Sequence, residues 1–164
     1  MNKLDEIRDK VLSDSELRSK IDEWAELKKS IVFTNGVFDI VHLGHIDYLS
    51  KAKDEGDILL VGVNSDDSAR KLGKGSSRPI NNEISRSTII AALQFVDAVI
   101  LFSEDTPYNL IKLVQPDILV KGSDYMPENI VGYDIVMQKG GSIKTIDFLE
   151  GYSTTLIEKK IKYS

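Results

Sequence analysis

Five short runs rich in Val, Ile and Leu, each followed by a segment of helical spacing, constrain this chain more than any other feature. The runs are IVFT (31–34), DILLVGV (57–63), DAVILF (97–102), DILVKG (117–122) and SIKTIDF (142–148). Helical patterns fall between and after them, at roughly 43–55, 65–72, 83–95, 106–114, 127–139 and 153–162. The runs are nearly continuous in apolar residues rather than alternating, which is how strands buried on both faces look. Alternation of such strands with helices predicts an α/β fold: a doubly wound parallel sheet, right-handed crossovers, and helices on both faces. Sheets of this kind take ligands at the carboxyl ends of their strands, usually where the strand order reverses.

Ahead of the first run, residues 3–29 read as one or two amphipathic helices. Leu4, Ile7 and Val11 recur at helical spacing, then Leu17, Ile21, Trp24 and Leu27, with Ser13 or Ser15 as a cap for the second helix. The expected organisation is an N-terminal helical segment, 1–30, in front of one α/β domain, 31–164. A length of 164 residues suits that single domain. Residues 73–82, GKGSSRPINN, break the pattern and read as an exposed loop.

Charge and composition then narrow the function. Lys and Arg number 21 against 26 Asp and Glu, a net −5, which argues against bulk nucleic-acid or anionic-membrane partners but leaves room for a local anion pocket. There is no cysteine, so disulfides, thiolate nucleophiles and Cys-based zinc sites are excluded. The first residues lack the apolar core of a signal peptide, and no run is long enough to span a bilayer. A cytoplasmic location is expected.

Both histidines of the chain, His42 and His45, lie in FTNGVFDIVHLGHIDYL (33–49), where the first run hands over to a helix. Gly36 permits a tight turn, and Gly44 removes a side chain where something must come close. A helix beginning near residue 42 or 43 would aim its unpaired N–H groups and dipole at the strand edge, an anion site whose usual guest is phosphate. Two imidazoles at i and i+3 share a face of that first turn and can donate hydrogen bonds to phosphate oxygens. Zinc held by the two histidines and Asp39 is the weaker reading, because helical zinc pairs sit at i and i+4 and no third histidine exists. No G-x-S-x-G elbow supports a Ser–His–Asp hydrolase, and no G-x-G-x-x-G follows the first strand as hydride-transfer enzymes require. KLGKGSSRP fails as a Walker A loop, since Lys74 is followed by Gly75.

The stretch GVFDIVHLGHIDYL resembles the G-x-F-D-x-x-H-x-G-H signature of the nucleotidyltransferase superfamily, with every fixed position present. The segments VNSD (63–66), RPI (78–80), EDTP (104–107), PDILVKGSDY (116–125) and EGYSTT (150–155) follow in the order found in the D-glycero-β-D-manno-heptose 1-phosphate adenylyltransferases. That resemblance covers essentially the whole chain. It implies a Rossmann-like fold and a nucleotidyltransferase domain over 31–164. It also implies a reaction of ATP with a sugar 1-phosphate, giving ADP-heptose and pyrophosphate on the route to surface glycans such as the lipopolysaccharide core. Magnesium is expected with the triphosphate, held mainly by its oxygens rather than by protein ligands. A homo-oligomer, dimer or larger, is expected as well.

By the same resemblance, His42 and His45 bind the triphosphate and stabilise charge at the α-phosphate, with Thr34, Asn35, Gly36, Phe38, Asp39 and Gly44 shaping the turn beneath. Lys51 is a candidate for phosphate charge, with Lys53 as its rival and a solvated helix-face lysine as the plain alternative. Asn64 and Asp66 are expected to face the nucleotide or the sugar, Asp66 having an ordinary helix cap as its alternative. Arg78 and Arg86 are candidate phosphate ligands. Lys121, Gly122 and Asp124 match the family's K-G-x-D-Y. Ser153, Thr154 and Thr155 open the last helix as a phosphate cradle, where a plain N-cap would need only one hydroxyl. One departure bears on the nucleotide. Glycerol-phosphate and choline-phosphate cytidylyltransferases carry an arginine five residues before the serine of this last motif, and here Phe148 stands there. That favours ATP over CTP. A cytidylyltransferase acting on glycerol 3-phosphate or another polyol phosphate is the alternative enzyme, and a silent nucleotide-binding module the alternative of another class.

Overall fold

The computed structural model describes residues 2–73 and 78–163, so the centre of the 73–82 loop, including the rejected Walker A lysine Lys74, lies outside the described residues. All six strands are parallel: β1 (Val11–Leu12), β2 (Ile31–Gly36), β3 (Ile58–Asn64), β4 (Ala98–Phe102), β5 (Ile118–Gly122) and β6 (Ser142–Ile146), in the spatial order β1-β4-β3-β2-β5-β6. The five expected runs are the five longer strands. β3 pairs β2 from Ile31↔Ile58 through Gly36↔Val63, and β5 pairs it through Val32↔Ile118 and Phe33↔Leu119.

Right-handed crossovers fix which face each helix takes. From β2 to β3 to β4 the chain moves one way across the sheet, so α3 (Leu43–Lys53) and α5 (Glu83–Ala91) share a face, with short α4 (Asp66–Lys71) between them in sequence. From β1 to β2, and from β4 to β5 to β6, it moves the other way. Accordingly α2 (Asp14–Glu26), α6 (Tyr108–Val114) and α7 (Tyr133–Lys139) cover the opposite face. The strands' period of two feeds both cores. Phe33, Leu60 and Leu119 pack with Trp24, Ile111 and Val136, while Val32, Val61 and Val120 pack with Leu49, Ile90 and Ala91.

The N-terminal segment departs from the expected helices. α1 (Lys3–Arg8) ends early, and Val11–Leu12 form an edge strand in register with Val99 and Ile100. The apolar spacing of Leu4, Ile7 and Val11 fits a helix, but Ser13 closes a capping box with Glu16 and starts α2 there, leaving the intervening residues free to pair with β4. Leu12, Leu17 and Trp24 are buried in the core beneath α6. The expected helix at 127–139 is also divided. A single 3-10 turn spans Pro127–Asn129, and α7 begins only at Tyr133, after Gly132 in the left-handed region. The last helix, α8 (Thr154–Tyr163), buries no residue at all.

Candidate active site

The strand order reverses between β2 and β5: the chain leaves β2 toward β3 and leaves β5 toward β6. The two crossover helices therefore lie on opposite faces and a crevice opens at the strands' carboxyl ends. A cavity of about 1070 Å³ occupies that position. Small-molecule sites usually run from about 300 to 1,000 Å³, so this one is large enough for more than one ligand.

The histidine motif forms one wall. Phe38 sits at φ 51°, a left-handed conformation that costs a non-glycine residue roughly 1–2 kcal/mol and turns the chain sharply off β2. Its buried ring then meets the His45 ring edge-on at 5.4 Å. His42 is extended and caps α3, and its ring stacks on His45 with centroids 3.9 Å apart. The backbone N–H of His42 donates to His45 Nδ1 at 3.4 Å, which puts the proton of a neutral His45 on Nε2. Burial holds the His42 imidazole below its ordinary value, and its Nδ1 is buried without a partner. A Cβ at position 44 would come within 3.0 Å of the His42 ring and 3.2 Å of Tyr152, so only glycine lets α8's leading loop close over the pair.

Asp39 orders the turn from beneath. Its carboxylate accepts the N–H groups of Ile80 and Asn81 at 2.9 and 2.8 Å, tying the histidine loop to residues 78–82. Arg78, in that tied segment, lines the cavity and makes a two-pronged ion pair with Glu158 of α8, Nε donating to Oε1 at 2.7 Å. Each partner shifts the other: the Arg78 hydrogen bond holds the Glu158 carboxyl below its ordinary value, and Glu158 raises the guanidinium's.

Asn35, Gly36, Asn64, Gly122, Asp124, Ser153, Thr154 and Thr155 all line the cavity. Ser153 Oγ accepts the Leu156 N–H at 3.1 Å and so caps α8, leaving its hydroxyl proton for another acceptor. Lys121 Nζ donates to Asn35 Oδ1 across the crevice, and burial pulls its ammonium down from 10.5 to about 8.

Four expected site residues stand elsewhere. Lys51 is half-exposed on the outer side of α3 and pairs with Asp47 at 2.7 Å, and its rival Lys53 bonds Asp97 at the opposite end of the strands. Arg86 is wholly buried, its Nε, Nη1 and Nη2 donating to Asn81 O, Val37 O and Asp66 Oδ1 respectively. Asp66 is thereby the counter-ion of Arg86, with Ser65 as the cap of α4. Thr34 is buried and hydrogen-bonded to Tyr48 at 2.8 Å; burial pushes that phenol up to about 12, so both act as support. Conversely, the structure brings in groups the sequence did not single out: Tyr48 and Tyr152, the rims Thr106–Pro107 and Asn129–Val131, and Glu158. The EDTP segment marked the first rim, but no local pattern marks a pair as distant as Arg78 and Glu158. Phe148 lines the cavity while remaining largely exposed. Its ring lies where a side chain at Gly122 would be, at 2.2 Å, and stacks toward Tyr48. Among the described residues, no three His, Asp or Glu side chains gather as a metal cage, and no helix is long and apolar enough to cross a membrane.

A family model described as Cytidylyltransferase-like matches residues 33–160. The chain is 52% identical over 163 residues to the bifunctional protein HldE of Campylobacter jejuni subsp. doylei, covering 96% of this chain and 34% of that protein. Against the bifunctional protein HldE of Wolinella succinogenes the identity is 46% over 159 residues, 97% of this chain and 32% of the other. The chain thus spans about a third of the length of the curated relatives it matches. Among solved structures, a lipopolysaccharide core biosynthesis protein from Thermoplasma volcanium aligns with TM-score 0.60 at 35% identity, over 76% of this chain and 99% of that one. A pantoate-beta-alanine ligase from Francisella tularensis shares the fold, with TM-score 0.62 at 18% identity, over 93% of this chain and 77% of that one.

Proposed function

The chain belongs to the cytidylyltransferase-like family of nucleotidyltransferases, and on that premise we propose that it transfers AMP from ATP to heptose 1-phosphate, releasing pyrophosphate. One observation carries the reading. Both histidines, the open N-terminus of α3, and the hydroxyls opening α8 face one cavity at the point where the strand order reverses. Those are donors for a triphosphate, and no side chain there is arranged as an activated nucleophile.

The acceptor's phosphate oxygen attacks the α-phosphorus in line. The bond from that phosphorus to the bridging oxygen breaks, and pyrophosphate leaves with the electron pair. A phosphate acceptor already carries the attacking charge, so no base is needed, and the protein's work is positioning and charge stabilisation. His45 Nε2–H and His42 donate to phosphate oxygens. His42, whose imidazole burial holds below its ordinary value, is drawn back toward its charged form by the incoming anion. Mg²⁺, which would arrive with the nucleotide because no carboxylate cage gathers among the described residues, would supply further neutralisation of the triphosphate. The heptose assignment rests on the EDTP and VKGSDY segments and on the similarity to the bifunctional HldE proteins and the lipopolysaccharide core protein. The preference for ATP rests on Phe148 in place of the cytidylyltransferases' arginine.

The experiment is pyrophosphate release with Mg²⁺, each anomer of heptose 1-phosphate, and ATP or CTP separately. Release with ATP and one anomer is expected. Release with CTP alone would reassign the chain to polyol-phosphate cytidylyltransferases, and silence with every pair would end the heptose reading.

A further inference from the structure

The two Arg and Lys side chains lining the cavity among the described residues differ in one respect. Arg78 already holds a carboxylate, whereas Lys121 touches only the neutral amide of Asn35, with Asp124 acting on it through space. A largely buried ammonium without a hydrogen-bonded counter-ion is costly, and an anionic ligand beside it would offset that cost.

Which ligand follows from the sheet's alternation. Phe33 and Leu119 point to the face of α6 and α7, so Asn35 and Lys121, two residues further along the same strands, point there too. Gly62 supports this, because a Cβ built on it would meet Phe33, the Asn35 side chain and Leu110 of α6. Thr34, Gly36 and Gly122 point to the other face, toward Tyr48 of α3 and Phe148. The sheet edge thus divides the cavity. The lobe on the α3 face holds the two imidazoles and the start of α8. On the α6–α7 side of that edge the cavity is lined by Asn35 and Lys121 from the strands, with Thr106 leading into α6 and Asn129 in the turn ahead of α7.

We infer that the lobe on the α6–α7 face is the acceptor subsite, with Lys121, steadied by Asn35, binding the acceptor's phosphate monoester and the rims at Thr106 and Asn129 meeting its hydroxylated carbon chain. The nucleotide then occupies the α3 lobe, and the acceptor's phosphate approaches the α-phosphorus over the sheet edge, from the side opposite the histidines. This inference takes the identity of the acceptor from the adenylyl-transfer reading, but not the place where its phosphate binds.

The test is Lys121→Met in the full chain, by calorimetry. Each protein is titrated with α,β-methylene-ATP and Mg²⁺, and then, once saturated, with heptose 1-phosphate. The analogue should bind Lys121→Met within about threefold of wild type, and the acceptor should bind about 10- to 100-fold more weakly, the worth of a charge-assisted hydrogen bond. Analogue affinity falling as much as acceptor affinity would assign Lys121 to the nucleotide, and unchanged acceptor affinity would remove its role; either overturns the inference. Removing a buried charge should leave the melting temperature at or above wild type. If Lys121→Met fails to fold, Asn35→Asp is the second variant: it gives the lysine an internal counter-ion and must weaken the acceptor more than the analogue. Should the wild type release no pyrophosphate with heptose 1-phosphate, the reaction assigned above fails by itself. Inorganic phosphate is then the probe. Binding to the analogue-saturated wild type that Lys121→Met loses upholds the subsite, and binding to both or to neither overturns it.

Discussion

His45 is the side chain on which turnover is expected to depend most. It is held by the His42 ring, the Phe38 edge and the His42 N–H, which fixes its ring and puts the proton of the neutral form on Nε2. Losing one preorganised donor of this kind costs on the order of 10²–10³ in kcat. His45→Ala is expected to lose that much in the pyrophosphate assay while its circular dichroism stays native; a folded variant at wild-type rate would refute the role. Lys121 carries a second prediction. Its folded value, about 8, lies below its ordinary 10.5, so between those values the unfolded chain binds more protons than the folded one and stability rises with pH. Lys121→Met should therefore be more stable than wild type at pH 7, by about 1–2 kcal/mol, and the gap should close as pH climbs from about 8 toward 10.5. Urea unfolding at several pH values reads both. At this scale the sequence was informative where a motif carries its own geometry, as in the H-x-G-H stretch and the K-G pair. It was uninformative about Lys51, because which side of α3 faces outward is decided by the packing of Tyr48, Leu49 and Ala52 against the sheet.

Among the elements, the 78–82 segment and the loop after β2 act as one unit, and Arg86 is its centre. The guanidinium of α5, itself wholly buried, grips Val37 O in the histidine loop, Asn81 O in the neighbouring loop and the half-buried Asp66 at the start of α4. Breaking a buried pair strands the remaining charge, so Arg86→Leu is expected to cost about 3–5 kcal/mol in urea unfolding. Lys51→Ala, which removes only an exposed pair on one helix, is expected to change neither stability nor rate measurably. An activity loss in Lys51→Ala without a change in stability would return that lysine to the site. The five long strands could be read in advance because burial on both faces leaves a continuous apolar signature. β1 could not: two residues are too few to show a period, and their partner is Val99–Ile100, far along the chain. Arg86 was misread for a related reason. A lone arginine after a loop looks like a phosphate ligand until three acceptors from three separate segments are found around it.

In the molecule as a whole, the N-terminal segment is bound into the core rather than appended to it. Trp24, the chain's single tryptophan, packs in the same cluster as Phe33, Leu119 and Val136. It is therefore a native reporter of whether residues 1–30 and the sheet unfold together. Tryptophan fluorescence and far-ultraviolet circular dichroism are expected to give superimposable denaturation curves. A fluorescence transition at lower denaturant would mean that the segment detaches as a separate unit. The pairing of β1 with β4 also has a consequence in time. A ribosome adding about 5–20 residues per second completes Val11 roughly 4–18 s before Val99, the residue it must pair with. Through that interval the nascent chain carries Leu12, Leu17 and Trp24 with no finished sheet to cover them, so this segment stays open to a chaperone until β4 has been made.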